Sequence, residues 1–250
     1  HPQKHDISME HVDFSYDSKP ILKNVSLTIP DKTTTAIVGP SGSGKTTLCN
    51  LIARFWDVDH GSIRIGDADV REYTLESLME QISMVFQKVY LFADTIENNI
   101  KFGRPYATHE QVVEAARKAC CHEFIEALPD GYNTVIGEGG ATLSGGEKQR
   151  ISIARAILKD SPIIIFDEAT ANVDPENEDK LQKAMEELMR DKTIIMIAHR
   201  LKTVQKADQI LVLDDGAIVQ RGTHAQLSEK PGLYRDFLNA RKEAAGWKLS

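Results

Sequence analysis

A short apolar strand, Thr35-Ala36-Ile37-Val38, runs straight into Gly39-Pro40-Ser41-Gly42-Ser43-Gly44-Lys45-Thr46, and residues 46–55 then fit a helix. Strand, glycine loop and helix in that order is the context a phosphate-cradling loop requires. It commits this part of the chain to an α/β layer. Glycines permit backbone geometry that side chains would hinder, so successive amides can point at phosphate oxygens while the helix N-terminus adds positive potential. Lys45 places a cation beside β- and γ-phosphates, and Thr46 offers a hydroxyl to Mg²⁺. The nucleotide-binding candidates here are Gly39, Pro40, Ser41, Gly42, Ser43, Gly44, Lys45, Thr46 and Thr47.

A second apolar run, 162–166, has the composition of a buried parallel strand and ends in Asp167-Glu168. Adjacent strand residues point to opposite sides, so the two carboxylates can do different work. Asp167 would hold Mg²⁺ and Glu168 would poise an attacking water. A third buried strand, 193–198, stops at His199.

The remaining pattern places these pieces. Residues 7–14 and 21–29 alternate as strands around an Asp31-Lys32 turn, with a further strand at 62–65. Residues 210–213 and 217–219 read as a hairpin about Asp214-Asp215-Gly216. Val112, Ala116, Cys120, Phe124 and Leu128 recur every four residues, which predicts one helical face over 109–128 closed by Pro129-Asp130-Gly131. Residues 176–189 fit another helix. The expectation is one domain, with an α/β core over about 1–87 and 160–250 and a mainly helical insertion over about 88–159.

Bulk properties narrow the function. A net charge of −7 argues against general nucleic-acid binding, which favours a basic surface. No apolar run approaches the roughly 18 residues of a membrane span, and the polar N-terminus has no signal-peptide pattern. Three cysteines, Cys49, Cys120 and Cys121, form no disulfide framework and read as small packing residues in a reducing setting.

Leu143-Ser144-Gly145-Gly146-Glu147-Lys148-Gln149-Arg150 adds a serine-glycine helix start between the glycine loop and the Asp167-Glu168 strand. In that order the three segments resemble the nucleotide-binding domain of ABC transporters over almost the whole chain. The family usually has Gln where Glu147 stands. The resemblance implies a P-loop NTPase core of RecA-like type with a mainly parallel sheet, an N-terminal antiparallel β subdomain and an inserted α-helical subdomain. It implies that Ser144, Gly145, Gly146 and Glu147 cap the γ-phosphate held by a second copy. Tyr16 would stack on adenine. Gln87 would meet Mg²⁺, beside Thr46 and Asp167, and sense the transport domain. Asp174 would cross the dimer interface, and His199 would contact the γ-phosphate. The catalytic set is then Glu168, His199, Lys45 and Gln87. Residues 92–100 and Gly137-Glu138-Gly139-Gly140 resemble exporter segments, with Glu138 available to the transport domain and Gly139 where Arg is usual.

The resemblance therefore implies Mg-ATP hydrolysis in a head-to-tail homo- or heterodimer. The partner would be an exporter's transmembrane domain, absent from this chain and fused to it in a longer protein, at the cytoplasmic face of the inner membrane. A soluble ABC-type ATPase acting on nucleic acid or ribosomes is the rival class; a P-loop kinase would not need residues 143–147.

Overall fold

The computed structural model describes residues 2–137, 142–168 and 175–247. Its strands in chain order are β1 (Ile7–Tyr16), β2 (Lys19–Ile29), β3 (Thr34–Val38), β4 (His60–Ile65), β5 (Ala68–Asp69), β6 (Ile82–Val85), β7 (Asp94–Thr95), β8 (Val135–Ile136), β9 (Ile163–Asp167), β10 (Thr193–Ile197), β11 (Gln209–Asp214) and β12 (Ala217–Gly222). Its helices are α1 (Lys45–Ile52), α2 (Leu75–Gln81), α3 (Ile96–Lys101), α4 (His109–Lys118), α5 (His122–Glu126), α6 (Gly145–Lys159), α7 (Pro175–Met189), α8 (Leu201–Lys206), α9 (His224–Ser228) and α10 (Leu233–Trp247). By their contacts they form two compact units, one of His1–Ile82, Ile165–Glu168 and Thr193–Ser250, the other of Ser83–Ile164 and Ala169–Lys192.

Two sheets organise the first unit. The N-terminal strands make an antiparallel sheet, ordered β2-β1-β4-β5. In β1 the alternation Ile7, Met9 slips by one residue to Val12, Phe14. The slip coincides with a register shift and a left-handed His11 (φ 49), a bulge that keeps the apolar face inward. The second sheet runs β12-β11-β3-β10-β9-β6. Its β3 pairs in parallel with both β10 and β11, and β11 closes an antiparallel hairpin with β12. Every residue of β10 and four of the five in β3 are buried. That is why these strands are continuous apolar runs rather than alternating ones. The arrangement brings the end of β3, where the glycine loop starts, beside the end of β10, where His199 follows. Such carboxyl-end crevices are where open α/β sheets receive ligands.

The helices of the second unit include α3 to α7. Two helix ends differ from the sequence expectation, for one physical reason. The pattern over 109–128 is two helices, because Cys120 turns left-handed (φ 57). Cys121 N then donates to Ala116 O at 2.7 Å and Cys120 N to Arg117 O at 3.0 Å. This is a Schellman closure without glycine. It rotates the register, so Val112 and Ala116 are followed into the core by Cys121 and Ile125, not Cys120 and Phe124. Likewise α1 ends at Ile52 rather than 55: Arg54 is left-handed (φ 56), with Arg54 N bonded to Leu51 O and Phe55 N to Asn50 O.

Candidate functional site

The glycine loop is shaped by what surrounds it. A Cβ on Gly39 would lie 2.1 Å from the Leu213 carbonyl oxygen, so only glycine lets the loop leave β3 this close to β11. Gly44 sits at φ 105 as the N-cap of α1, and a Cβ there would lie 2.8 Å from Leu22 Cδ2. Among the described residues no side chain caps α1, and a helix start of that kind suits an anion. Ser43 O accepts from Gly216 N at 3.0 Å, tying the loop to the β11–β12 turn.

Lys45 folds back over this loop. Its Nζ donates to Gly39 O at 2.5 Å and Pro40 O at 3.0 Å. Partial burial pulls its pKa below the ordinary lysine value, and the Asp167 charge partly opposes that fall. Thr46 is exposed at the start of α1, while Ser43 and Thr47 are buried. Tyr16, at the end of β1, reaches the same helix: its hydroxyl is 3.3 Å from Thr47 Oγ1.

The acidic pair lies across the ends of β9 and β10. Glu168 N donates to Ile197 O at 3.0 Å, and Glu168 Oε1 accepts from His199 N at 3.2 Å. Glu168 is only 6% exposed. Desolvation raises its pKa above that of an ordinary glutamate, against opposing hydrogen bonds from Thr203, His199 and Arg200. Asp167 differs. Its Oδ1 is buried without a hydrogen bond, 3.5 Å from His199 Nε2. A buried carboxylate oxygen without a hydrogen-bond donor suits a cation, and the donor set here, one carboxylate with the Thr46 hydroxyl, suits Mg²⁺ shared with phosphate. The first unit thus brings together Lys45, Asp167, Glu168 and His199.

Gln87 and the serine-glycine segment belong to the second unit. Gln87 is exposed just after β6. Ser144 is the N-cap of α6 in a capping box: Glu147 N donates to Ser144 Oγ at 3.1 Å, and Ser144 N to Glu147 Oε1 at 2.9 Å. That explains the tolerance of Glu for Gln at this position, since either accepts the N-cap amide. Gly145 is exposed beside it. Asp174 and Glu138 lie outside the described residues.

Sequence reasoning did not assign three residues that the structure makes relevant. Thr203, four residues after His199, bonds Glu168. Arg150 is buried and ties α6 to Cys120 O at 2.6 Å and to Asn177 Oδ1 at 3.3 Å. Trp56 packs its ring against Tyr16. Only Arg150 stood inside a recognisable motif; the other two contacts join residues far apart in sequence.

Comparison with known proteins adds the following. The model of the ABC transporter family matches residues 22–171. An ATP-dependent lipid A-core flippase of Vibrio vulnificus (strain YJ016) is 49% identical over 235 residues, covering 92% of this chain and 40% of the relative. The ATP-dependent lipid A-core flippase of Escherichia coli (strain K12) is 50% identical over 232 residues, with the same two shares. The chain thus spans 40% of the length of these relatives. Among solved structures, a bacterial Atm1-family ABC exporter with ATP bound superposes with a TM-score of 0.90 at 40% identity, over 96% of this chain and 42% of that one.

Proposed function

The chain belongs to the ABC transporter family, and from that premise we propose that it binds and hydrolyses Mg-ATP in a head-to-tail dimer to power an exporter. The observation that carries this reading is the pair at the end of β9. Asp167 presents an oxygen with no hydrogen bond, and Glu168 beside it is buried and held by His199 N. One carboxylate is thereby suited to a metal and the other to a proton.

Tyr16 receives the adenine, and the amides of residues 39–47 with the Lys45 ammonium bind the phosphates. Thr46, Asp167 and Gln87 would be the residues that hold Mg²⁺, which would supply charge neutralisation to the phosphates. Glu168 takes the proton of the attacking water, which its raised pKa favours. His199 orients the γ-phosphate. Ser144, Gly145, Gly146 and Glu147 of one copy close over the nucleotide held by the other, and Asp174 lines the contact between copies. The Ser144 oxygen accepts inside its own capping box, which leaves its hydroxyl proton to donate to phosphate.

The transport partner is a membrane-spanning domain, and the site of work is the cytoplasmic face of the inner membrane. Among the described residues no helix is long and apolar enough to cross a membrane. The second unit does display exposed aromatics, Tyr90, Phe92, Phe102 and Tyr106, the last 99% exposed. Apolar exposure of this kind marks protein contact surfaces. Relatives named as lipid A-core flippases make an amphiphile the favoured cargo class.

Phosphate release from Mg-ATP tests the reading. Lys45→Ala should abolish tight binding. Glu168→Gln should retain binding and lower kcat by about 10²- to 10⁴-fold. Equal turnover in the Glu168→Gln protein would remove Glu168 from the chemistry.

A further inference from the structure

Trp56 belongs to no motif, yet the chain is built to deliver it. The Schellman closure at Arg54 reverses the backbone after α1. Two bonds then pin the segment to the end of β1: Asp59 N donates to Asp13 O at 2.9 Å, and Ser15 N to Asp59 Oδ2 at 2.7 Å. The indole lands edge-to-face on Tyr16, with centroids 5.4 Å apart and planes at 81°. It also meets Phe14 at 6.3 Å. Tyr16 is held on two further sides, by Phe14 (4.8 Å, 88°) and by the Thr47 hydroxyl.

An aromatic side chain stacks on a base more tightly where its ring plane is already set, because fixing the ring at the moment of binding costs affinity. Phe14 is core and Thr47 is part of the phosphate loop. Among the described contacts of the Tyr16 ring, the one with Trp56, 53% exposed, comes from neither the core nor the phosphate loop. The part of the indole left in water places a π-face beside a base-stacking ring, where it can serve a bound base.

We propose that Trp56 is a positioning residue for base recognition: it holds the Tyr16 ring in the orientation that receives adenine, and its indole responds when the base arrives. This rests on the reading that the chain binds ATP through Tyr16 and the glycine loop. The requirement is for a ring at this position rather than for indole as such. Phe should therefore substitute and Ala should not.

The chain has two tryptophans, Trp56 and Trp247, so Trp247→Phe isolates the signal of Trp56. Mg-ADP and inorganic triphosphate are titrated into that protein, following indole emission and calorimetric heat together. Emission should change with Mg-ADP at the calorimetric midpoint and stay constant with triphosphate, which has no base. In turnover, Trp56→Ala should raise the KM for ATP about 3- to 10-fold with kcat within about 2-fold, the mark of lost uniform binding. Trp56→Phe should restore KM. Emission indifferent to ADP that the heat shows to be bound overturns the proposal, as does an unchanged KM in Trp56→Ala or a Phe variant no better than Ala. Absence of any ADP heat defeats the ATP reading itself, a distinct result. The emission arm leaves Trp56 in place and does not depend on the Ala variant folding.

Discussion

Glu168 shows how a single residue sets cost against use. Its carboxyl is buried beside the end of β10, and desolvation raises its pKa. A raised folded-state pKa means the group's stabilising share is present at low pH, below its unfolded value, and is lost as pH rises through the folded value. At neutral pH the ionised carboxylate therefore weighs against the fold. Glu168→Gln should raise Tm near pH 7 to 8, by about 2–4 °C for each kcal/mol recovered, with a smaller gain near pH 4. Calorimetric melts of both proteins across that range check the sign; a gain that grows toward acid pH would contradict it. If Glu168 is the base, the same shift should move the acid limb of kcat above the range of an ordinary glutamate, which a pH profile of turnover checks. Lys45, Asp167 and Glu168 could be singled out in sequence because phosphate and metal chemistry favours those residue types at a glycine loop and a strand end, whereas His199 entered through the family resemblance. Thr203 could not be singled out, since nothing in its own neighbourhood signals the carboxylate it serves.

At the scale of elements, the sequence pattern located the longer strands β1 to β4 and β9 to β12 and the helices α1, α4 and α7, but not the short strands β5 to β8, nor α2, α3, α8, α9 and α10, nor where two helices stop. The four-residue spacing through Cys120 and Phe124 is genuine in sequence and misleading in space. A left-handed residue at 120 restarts the helix in a new register. Glycine would have announced that turn; cysteine does not. Left-handed non-glycine residues cost about 1 kcal/mol or more, so Cys120→Gly should leave the fold intact and gain up to about 1 kcal/mol in denaturant melts. A loss of about 1 kcal/mol or more, as expected for glycine inside a continuous helix, would mean that the helix runs through this position. The analogous turn at Arg54 delivers Trp56 to Tyr16, a contact between residues on different elements that no local pattern encodes. The start of α6, by contrast, was legible as a serine-glycine helix start, and the structure adds its capping box. Ser144 and Glu147, three residues apart, form that box.

At the scale of the molecule, the residues proposed to act on ATP fall into two sets, carried by different units. Lys45, Asp167, Glu168 and His199 lie in the first, with Tyr16. Ser144 and its glycines lie in the second. The account joins them across two copies of the chain, so that nucleotide is itself part of the interface. Its most direct test is the solution mass of the Glu168→Gln protein with and without Mg-ATP, by light scattering on a sizing column. The substitution should slow hydrolysis while keeping binding. The account predicts monomer without nucleotide and dimer with it, and a return to monomer when Ser144→Arg places a bulky cation at the start of α6. A protein that binds Mg-ATP yet keeps the mass of a monomer would contradict the shared site.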